Sequence, residues 1–343
     1  MGATIHINGT GSSIPRMGRN GDEMTNIILR KVKCGNSCFL VFVGLFLLAA
    51  ISADPPLLFA GAPVGASVEE AYPGLAAGIL RHARLASLEK GVVLTAGDVK
   101  VSEAYLSDIV QNAESGIRSQ LRKNLIFVLE QEITRKLLLD EASKSGAGKG
   151  IPQDKRIMSF LQGKAEKVTV SEKDLRTFYE QNKDAVGGAP FDQVKDSLRG
   201  YLLNEKKQRA IAEYIEKMGR EASLRIDAAW LKKQFVPAMD NPVDRARRSG
   251  KPSMVEFGAS GCRPCDMMQP ILTNLRKKYR EKLNVLFVQV RQEQILAARY
   301  GIRSIPVQAF FNSKGKEVFR HVGFFPQEQV EKVLAQLEVL DRK

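Results

Sequence analysis

The sequence predicts an α/β domain at the C-terminus, preceded by an all-α domain. From residue 251 onward, short apolar runs alternate with amphipathic helical stretches, which is typical of a mixed sheet covered by helices. Between residues 96 and 227, apolar residues recur at helical spacing. One apolar run near the N-terminus, preceded by basic residues, indicates an export signal outside both domains.

Residues 1–53 are predicted to be a disordered extension followed by a signal peptide. Residues 1–23 are mostly polar and rich in Gly and Ser, so we expect no packed element there. The apolar run from Phe39 to Ile51 has thirteen residues, whereas a membrane-spanning helix needs about 20. We therefore expect a periplasmic or other extracytoplasmic location. The alternative is an uncleaved N-terminal segment that anchors the chain in the inner membrane.

Residues 54–95 are interpreted as a connecting segment, because Pro and Gly are frequent near its start. Helices are predicted from residue 96 to residue 227. The longest runs from about Glu114 to Ser143, and its apolar face is wide enough to be buried on two sides. Residues 228–250 are predicted to be a linker with a short lead-in helix, and residues 251–343 form the C-terminal domain.

Two sequence blocks give residues 96–227 a resemblance to a known helical domain. The blocks are Val168–Lys183 and Pro190–Lys195, and they are similar to the helical chaperone domain of the SurA family. Family members that isomerise prolyl bonds carry a parvulin domain between the blocks, whereas this chain has only a short Gly/Ala/Pro loop there. The resemblance implies binding of unfolded clients and argues against prolyl isomerase activity. A helical spacer or dimerisation domain is the alternative.

Cys262 and Cys265 lie between a predicted strand and a predicted helix. The apolar run at residues 253–257 precedes them, and apolar residues at helical spacing follow them. Cys262 is therefore expected at a helix N-terminus, where free N–H groups and the helix dipole favour a thiolate. Thiol–disulfide chemistry is the prediction, with a structural disulfide or half of a zinc site as alternatives. Zinc would need further ligands, but this half of the chain has no second cysteine pair and His321 is its only histidine, so we predict no metal. We also expect no cofactor.

The rest of the C-terminal domain follows the same alternation. The sequence predicts a buried strand at 285–290, a helix at 292–300, a strand at 307–311, a hairpin, and a last helix at 326–340. The order of strands and helices predicts a central mixed sheet with helices on both faces.

This C-terminal region resembles the thioredoxin family, and several positions match together. The matching residues are the redox pair Cys262 and Cys265, the helix proline Pro270, the cis-proline step Ile305-Pro306 and the hairpin glycine Gly323. Glu256 stands where the family usually has a buried Asp. The resemblance implies that Cys262 is the attacking thiolate and Cys265 the resolving thiol. A buried Glu256 would have a raised pKa and would exchange a proton with Cys265; the alternative is a carboxylate without a catalytic part.

Four residues are predicted to contact the client chain: Arg263, Pro264, Ile305 and Pro306. A cis peptide before Pro306 would leave backbone groups near the sulfurs free to bind a client as a short strand. Arg263 adds a cation beside the attacking cysteine and favours its thiolate; the alternative is a plain surface charge.

The net charge of +14 is interpreted as a solvated basic surface, because the basic residues are interleaved with acids. No nucleic-acid-binding motif accompanies the charge, so we expect no nucleic-acid partner.

The predicted function is that of an exported thiol–disulfide oxidoreductase, a reductase or isomerase of client disulfides with a helical client-binding domain. The expected partners are unfolded or disulfide-bearing proteins. Resemblance to exported thioredoxin-like reductases also implies a membrane electron donor of the CcdA/DsbD type. The alternatives are a non-catalytic periplasmic chaperone or scaffold, and an oxidase of the DsbA kind.

Overall fold

The computed structural model of the protein describes residues 63–76, 78–146, 150–181 and 188–337. The predicted signal peptide or anchor, with Cys34 and Cys38, lies outside these ranges. Within them, no helix is both long enough and apolar enough to cross a membrane.

The N-terminal half consists mainly of helices. In chain order its elements are α1 (Val68–Ala71), a 3-10 helix (Ile79–His82), β1 (Arg84–Ala86), β2 (Val92–Ala96), β3 (Val99–Ser102), α2 (Glu103–Asn112), α3 (Ser115–Lys123), α4 (Leu125–Lys144), α5 (Gln153–Lys164), α6 (Glu172–Gln181), α7 (Phe191–Glu221), β4 (Arg225–Asp227) and α8 (Ala228–Met239). The predicted helix 114–143 is two helices, because the backbone of Asn124 (φ −123°, ψ 43°) leaves the helical conformation.

Residues 96–227 are rich in helix, but the prediction that they are all-α was wrong, because β3 and β4 lie within them. Four short strands form a sheet in the order β1-β4-β2-β3. Strand β4 pairs in parallel with β1 and in antiparallel fashion with β2, where Leu94 lies opposite Ile226. The interpretation of residues 54–95 as a connecting segment was wrong for the second half of that segment. That part supplies β1 and most of β2, two strands of a packed sheet. Strands of three to five residues are too short to show a clear alternation, and pairing over such a sequence separation leaves no local pattern.

Helix α6 and the first half of α7 form an arm, defined here as residues 168–181 and 188–207. The arm has its own small apolar core, made by Leu175, Tyr179, Leu198 and Leu202. Helix α6 begins with the predicted capping box, since the backbone N–H of Ser171 donates to Asp174 and that of Asp174 donates to the Ser171 hydroxyl. Tyr201 is 57% exposed, although its ring lies 5.5 Å from that of Phe178, so the arm carries a partly exposed aromatic residue.

The C-terminal half has the predicted mixed sheet with helices on both faces. Its elements are α9 (Pro242–Arg247), β5 (Ser253–Gly258), α10 (Arg263–Lys278), β6 (Asn284–Gln289), α11 (Gln294–Arg299), β7 (Val307–Phe311), β8 (Glu317–Val322) and α12 (Gln327–Gln336). The strand order is β6-β5-β7-β8, with β5 and β6 parallel and the other pairs antiparallel. Apolar residues of α10 and α12 pack with Met254 and Phe310 on one face. Residues of α11 pack with Val255 and Phe257 on the other.

Helix α11 joins the two halves. The Ile295 side chain belongs to the apolar core of the N-terminal half. Its backbone N–H donates to the side-chain oxygen of Gln120 in α3 (3.1 Å). The guanidinium of Arg299 donates to Asn124 (3.2 Å) and to the carbonyl of Ala238 (2.7 Å). The C-terminal domain is therefore packed against α3, the residue that follows it and α8.

A buried ionic cluster holds α9 in the same interface. The Asp244 side chain is fully buried and pairs with Arg247 (3.0 Å) and Arg299 (3.2 Å). It also accepts a hydrogen bond from the Tyr300 hydroxyl (2.6 Å), and burial raises the pKa of that hydroxyl, so it stays protonated and donates. Charges removed from water are tolerated only when they are paired in this way.

Candidate active site

The junction of β5 and α10 places the two cysteines. All six residues of β5 are buried, which fixes the strand in the centre of the sheet. The chain then turns through Gly261, whose φ of 76° favours glycine, and helix α10 begins. Cys262 is the N-cap residue of α10, and its Sγ accepts the backbone N–H of Cys265 at 3.4 Å. The predicted position of Cys262 at a helix N-terminus is therefore confirmed.

Cys262 and Cys265 form a disulfide with their Cα atoms 5.2 Å apart. Cys265 is only 1% exposed, whereas Cys262 is half-buried at the surface. A reagent or a client sulfur can therefore reach Cys262 but not Cys265. Helix α10 continues past Pro270 to Lys278, so the proline lies inside the helix as the sequence indicated.

The positive end of α10 acts on Cys262. The first N–H groups of a helix lack intrahelical partners and stabilise negative charge. In the reduced state these groups favour the thiolate of Cys262 over its thiol. Arg263 and Pro264, the first two residues of the helix, are exposed beside it.

Gly258 makes the contact between strand β5 and the disulfide. A Cβ atom at this position would lie 2.7 Å from the Phe287 ring and 3.4 Å from the Cβ of Cys265. Only glycine leaves room for the ring and the cysteine to approach the strand this closely. Gly258 therefore lies on the face of β5 that the Cys265 side chain approaches.

Glu256 lies on that same face, because side chains two residues apart on a strand point the same way. It is fully buried, between Phe287 on β6 and Gln308 on β7. Burial raises the pKa of Glu256 to about 8, against smaller lowering effects of the Gln308 amide and the Arg276 guanidinium. Among the described residues, no group lies in hydrogen-bond geometry with either carboxylate oxygen. The predicted burial and raised pKa are confirmed; the catalytic role of Glu256 stays a prediction.

The peptide bond between Ile305 and Pro306 is cis, as expected from the resemblance. Strand β7 starts at the next residue, and Val307 lies opposite Phe257 near the end of β5. The cis bond therefore lies at the end of the sheet where the cysteine helix begins. The carbonyl of Pro306 accepts the backbone N–H of Gly323 at 2.8 Å, which ties the cis-proline loop to the end of β8.

Apolar side chains are exposed at this end of the domain. Met267 is exposed on α10 two residues after Cys265, and Val322 and Phe324 are exposed on either side of Gly323. They supply an uncovered apolar surface beside the elements that hold the disulfide and the cis peptide.

Three site features were missed in the sequence. Gln308 is a fully buried polar residue opposite Glu256, and the signal was a single amide in an otherwise apolar strand. The Phe287 ring covers Gly258, a contact between strands that no local pattern reveals. The Arg303 guanidinium donates to Gln208 of α7 at 3.0 Å, which joins the cis-proline loop to the base of the arm.

Across the part of the chain that the structure describes, no cluster of three or more His, Cys, Asp or Glu side chains is arranged to hold a metal ion.

Comparison with known proteins shows which family this domain is similar to. The model of a family described as a thioredoxin-like domain matches residues 239–338. The thioredoxin of Alicyclobacillus acidocaldarius is 33% identical over 96 residues, which cover 28% of this chain and 90% of that protein. The thioredoxin of Staphylococcus aureus is 35% identical over 100 residues, covering 29% of this chain and 94% of that protein. Thioredoxin Y, chloroplastic, of Oryza sativa is 33% identical over 121 residues, covering 35% and 68%.

The fold and its relatives define a class, the thiol–disulfide oxidoreductases built on a thioredoxin-like domain. Through its C-terminal domain, the chain belongs to the thioredoxin family. The matched range starts at the last residue of α8 and includes α9, within the segment predicted to be a linker. The SurA resemblance of residues 96–227 lies outside the matched range and stays a prediction.

Proposed function

We propose that this protein is an exported thiol–disulfide oxidoreductase that reduces or isomerises disulfides of client proteins held by its helical part. The observation that supports this most directly is the unequal exposure of the two sulfurs at the start of α10. Cys262 is reachable and Cys265 is 1% exposed, as an attacking and a resolving thiol require. Export is inferred from the apolar run at residues 39–51.

The reduction proceeds in two exchanges. The Cys262 thiolate attacks a client disulfide, forms a mixed disulfide and displaces one client sulfur, which takes up a proton. The Cys265 thiol then loses its proton and attacks Cys262 Sγ, which releases the second client thiol and leaves the Cys262–Cys265 disulfide. Two electrons pass from the pair to the client. A membrane electron donor of the CcdA/DsbD type would return them.

In its ionised form, Glu256 is the proposed acceptor of the Cys265 proton. Its pKa of about 8 is close to the value of about 8.5 for a free thiol, so transfer in either direction costs little. The carboxyl lies on the face of β5 that contacts Cys265 through Gly258. Burial raises this pKa. It therefore adapts the carboxyl to proton transfer with Cys265 when Cys265 attacks Cys262 Sγ.

Clients would bind across the end of the sheet. The cis bond before Pro306 and the exposed apolar side chains of Met267, Val322 and Phe324 offer backbone and apolar contacts beside the disulfide. The arm would hold clients with its exposed Tyr201, in line with the SurA resemblance. Arg263, Pro264 and Ile305 complete the proposed client contacts.

Reduction of insulin by a thiol reductant tests the redox part of this proposal. The wild-type protein should accelerate precipitation of the insulin B chain, and Cys262→Ser should abolish the acceleration. Equal activity of the two proteins would refute the enzyme assignment. If, in addition, a variant without both cysteines still prevented aggregation of an unfolded client, the alternative of a chaperone or scaffold would replace it.

An oxidase is the second candidate, and one contact favours it. The backbone N–H of Cys265 donates to Cys262 Sγ, and donors of this kind stabilise the reduced thiolate, which makes the disulfide more oxidising. Titration of the pair against glutathione separates the two. A potential of about −270 mV would fit a thioredoxin-like reductase, and one of about −120 mV would fit an oxidase of the DsbA kind.

A further inference from the structure

Strand β6 is an outer strand of the C-terminal sheet, and alternate residues along it direct their backbone groups to either side. The N–H of Asn284 donates to Pro252 and that of Val290 donates to Gly258, each at 2.9 Å. In a parallel ladder, every second residue bonds to the same neighbour. The backbone groups of Val285, Phe287 and Gln289 therefore point away from β5, toward the free edge of the sheet.

The ends of this edge are covered and its middle is open. The carbonyl of Val285 accepts the Arg276 guanidinium at 3.1 Å. The carbonyl of Gln289 accepts the backbone N–H of Gln292 at 3.0 Å. Among the described residues, none pairs with the outward N–H and C=O of Phe287. An open strand edge of this kind can add one further strand.

An open, shallow cavity of about 450 Å³ lies on the surface at the start of this edge, beside the end of α10. Its lining combines three exposed basic side chains, three apolar ones and one amide: Arg276, Lys277 and Arg280, then Leu283, Val285 and Leu286, then Asn284. One acid, Glu281, is also exposed here, 3.9 Å from Arg280. The surface therefore offers positive charge around an apolar floor.

We infer that the β6 edge binds an extended acidic peptide segment of a partner protein as an added strand. Three observations select this occupant. The outward groups of Phe287 would bond to the backbone of an extended chain. Arg276, Lys277 and Arg280 would meet acidic side chains, and the leucines would meet apolar side chains that alternate with them.

The edge and the cis-proline loop are on opposite sides of strand β5. The sheet order places β6 on one side of β5 and β7, which follows Pro306, on the other. A strand added to β6 would therefore leave the surface around the disulfide free. The partner bound at the edge would be held while its own disulfide, or that of another client, reaches Cys262.

Binding of designed peptides tests the occupant. The probe is a fluorescent, capped peptide of about eight residues in which valine and glutamate alternate, matched to the alternation of a strand. We expect it to bind the oxidised full-length protein, measured by fluorescence anisotropy, more weakly as salt is added. The same peptide with lysine for glutamate, and one with N-methylated valines that cannot pair along an edge, should fail to bind. Equal binding of the N-methylated peptide would overturn the added strand.

Charge reversal tests the surface. Lys277→Glu/Arg280→Glu should weaken binding of the acidic peptide by roughly tenfold or more, equal to about 1.4 kcal/mol. The control is Lys232→Glu/Lys233→Glu, a reversal of two exposed lysines on α8, outside the cavity, which should leave binding unchanged. Equal losses in the two variants would mean attraction to net charge alone and would overturn the site.

Hydrogen exchange of backbone amides reports strand pairing directly and does not depend on the net charge of the protein. The Phe287 amide should become protected when the acidic peptide is bound, while that of Leu286, which faces β5, should change little. Binding to anionic phospholipid vesicles through Lys277 and Arg280 with no protection at Phe287 would identify a membrane contact and overturn the inference.

Discussion

The ring of Phe287 occupies the space into which a side chain at Gly258 would project, 2.7 Å from the position of a Cβ atom there. The contact joins the edge strand β6 to its neighbour β5. It lies beside Cys265, whose Cβ is 3.4 Å from the same position. A methyl group at position 258 can be admitted only if the Phe287 ring leaves its place against Cys265. Gly258→Ala should therefore cost about 1–3 kcal/mol of unfolding free energy, as expected for an overpacked core.

Urea unfolding of the oxidised protein measures this cost. The control is Gly163→Ala, in helix α5, where a Cβ would meet no atom within 4 Å. That change should be neutral or stabilising by up to about 1 kcal/mol, because alanine is the better helix former. A Gly258→Ala protein as stable as the Gly163→Ala control would contradict the close packing of Phe287.

Glu256 should make the stability of the oxidised protein fall as pH rises. Its pKa is about 8 when folded against an ordinary value of 4.5, so between these pH values the folded protein holds a proton that the unfolded chain releases. The stabilisation is complete below about pH 4.5 and is lost as pH rises through 8. At 1.36 kcal/mol for each pKa unit, the total is on the order of a few kcal/mol.

Glu256→Gln removes this titration. The difference in unfolding free energy between Glu256→Gln and wild type should increase in favour of the variant from about pH 6 to about pH 9. Glu328→Gln on α12 is the control, because its exposed carboxyl has a lowered pKa and stays ionised across this range. A constant difference for Glu256→Gln would show that the carboxyl does not titrate near pH 8.

The two cysteines should differ in their reactions with clients. Cys265→Ser leaves the half-buried Cys262 without a resolving thiol, so it should accumulate mixed disulfides with disulfide-bearing proteins. With Cys34 and Cys38 replaced by serine in both variants, Cys262→Ser leaves only the 1% exposed Cys265 and should accumulate none. Non-reducing gels after acid quenching measure both. Equal trapping by the two variants would contradict the assignment of Cys262 as the attacking sulfur.

Asp244 should be among the most sensitive positions for stability. Asp244→Ala leaves Arg299 and the Tyr300 hydroxyl without their buried partner, and losses of about 3–5 kcal/mol are typical when a buried pair is broken. Asp240→Ala, which removes an exposed pair with Arg245, should cost no more than about 1 kcal/mol. Thermal unfolding followed by circular dichroism compares them, and similar losses would contradict the structural role of the buried cluster.

The features that the sequence predicted depend on neighbouring residues, and those it missed depend on distant ones. The strand before Cys262, the helix after it and the Ser171 capping box are each decided within a few residues, and all are present. The cis bond before Pro306 came from the family resemblance rather than from any spacing. The hydrogen bond between Gln120 and Ile295 spans 175 positions, so no local pattern could indicate it.

The N-terminal sheet was missed for a related reason, and its strand order constrains how the chain assembles. Strand β4 is the last of the four to be synthesised, yet it lies between β1 and β2. Until Ile226 has left the ribosome, β2 can pair with β3, but no strand is present to connect β1 to β2. Long-range closure of this kind is slow, because the entropy of a large loop is lost before any contact forms. The sheet of the N-terminal half therefore cannot be completed until nearly two thirds of the chain has been synthesised. Its final strand, β4, is made shortly before the domain that contains Cys262 and Cys265.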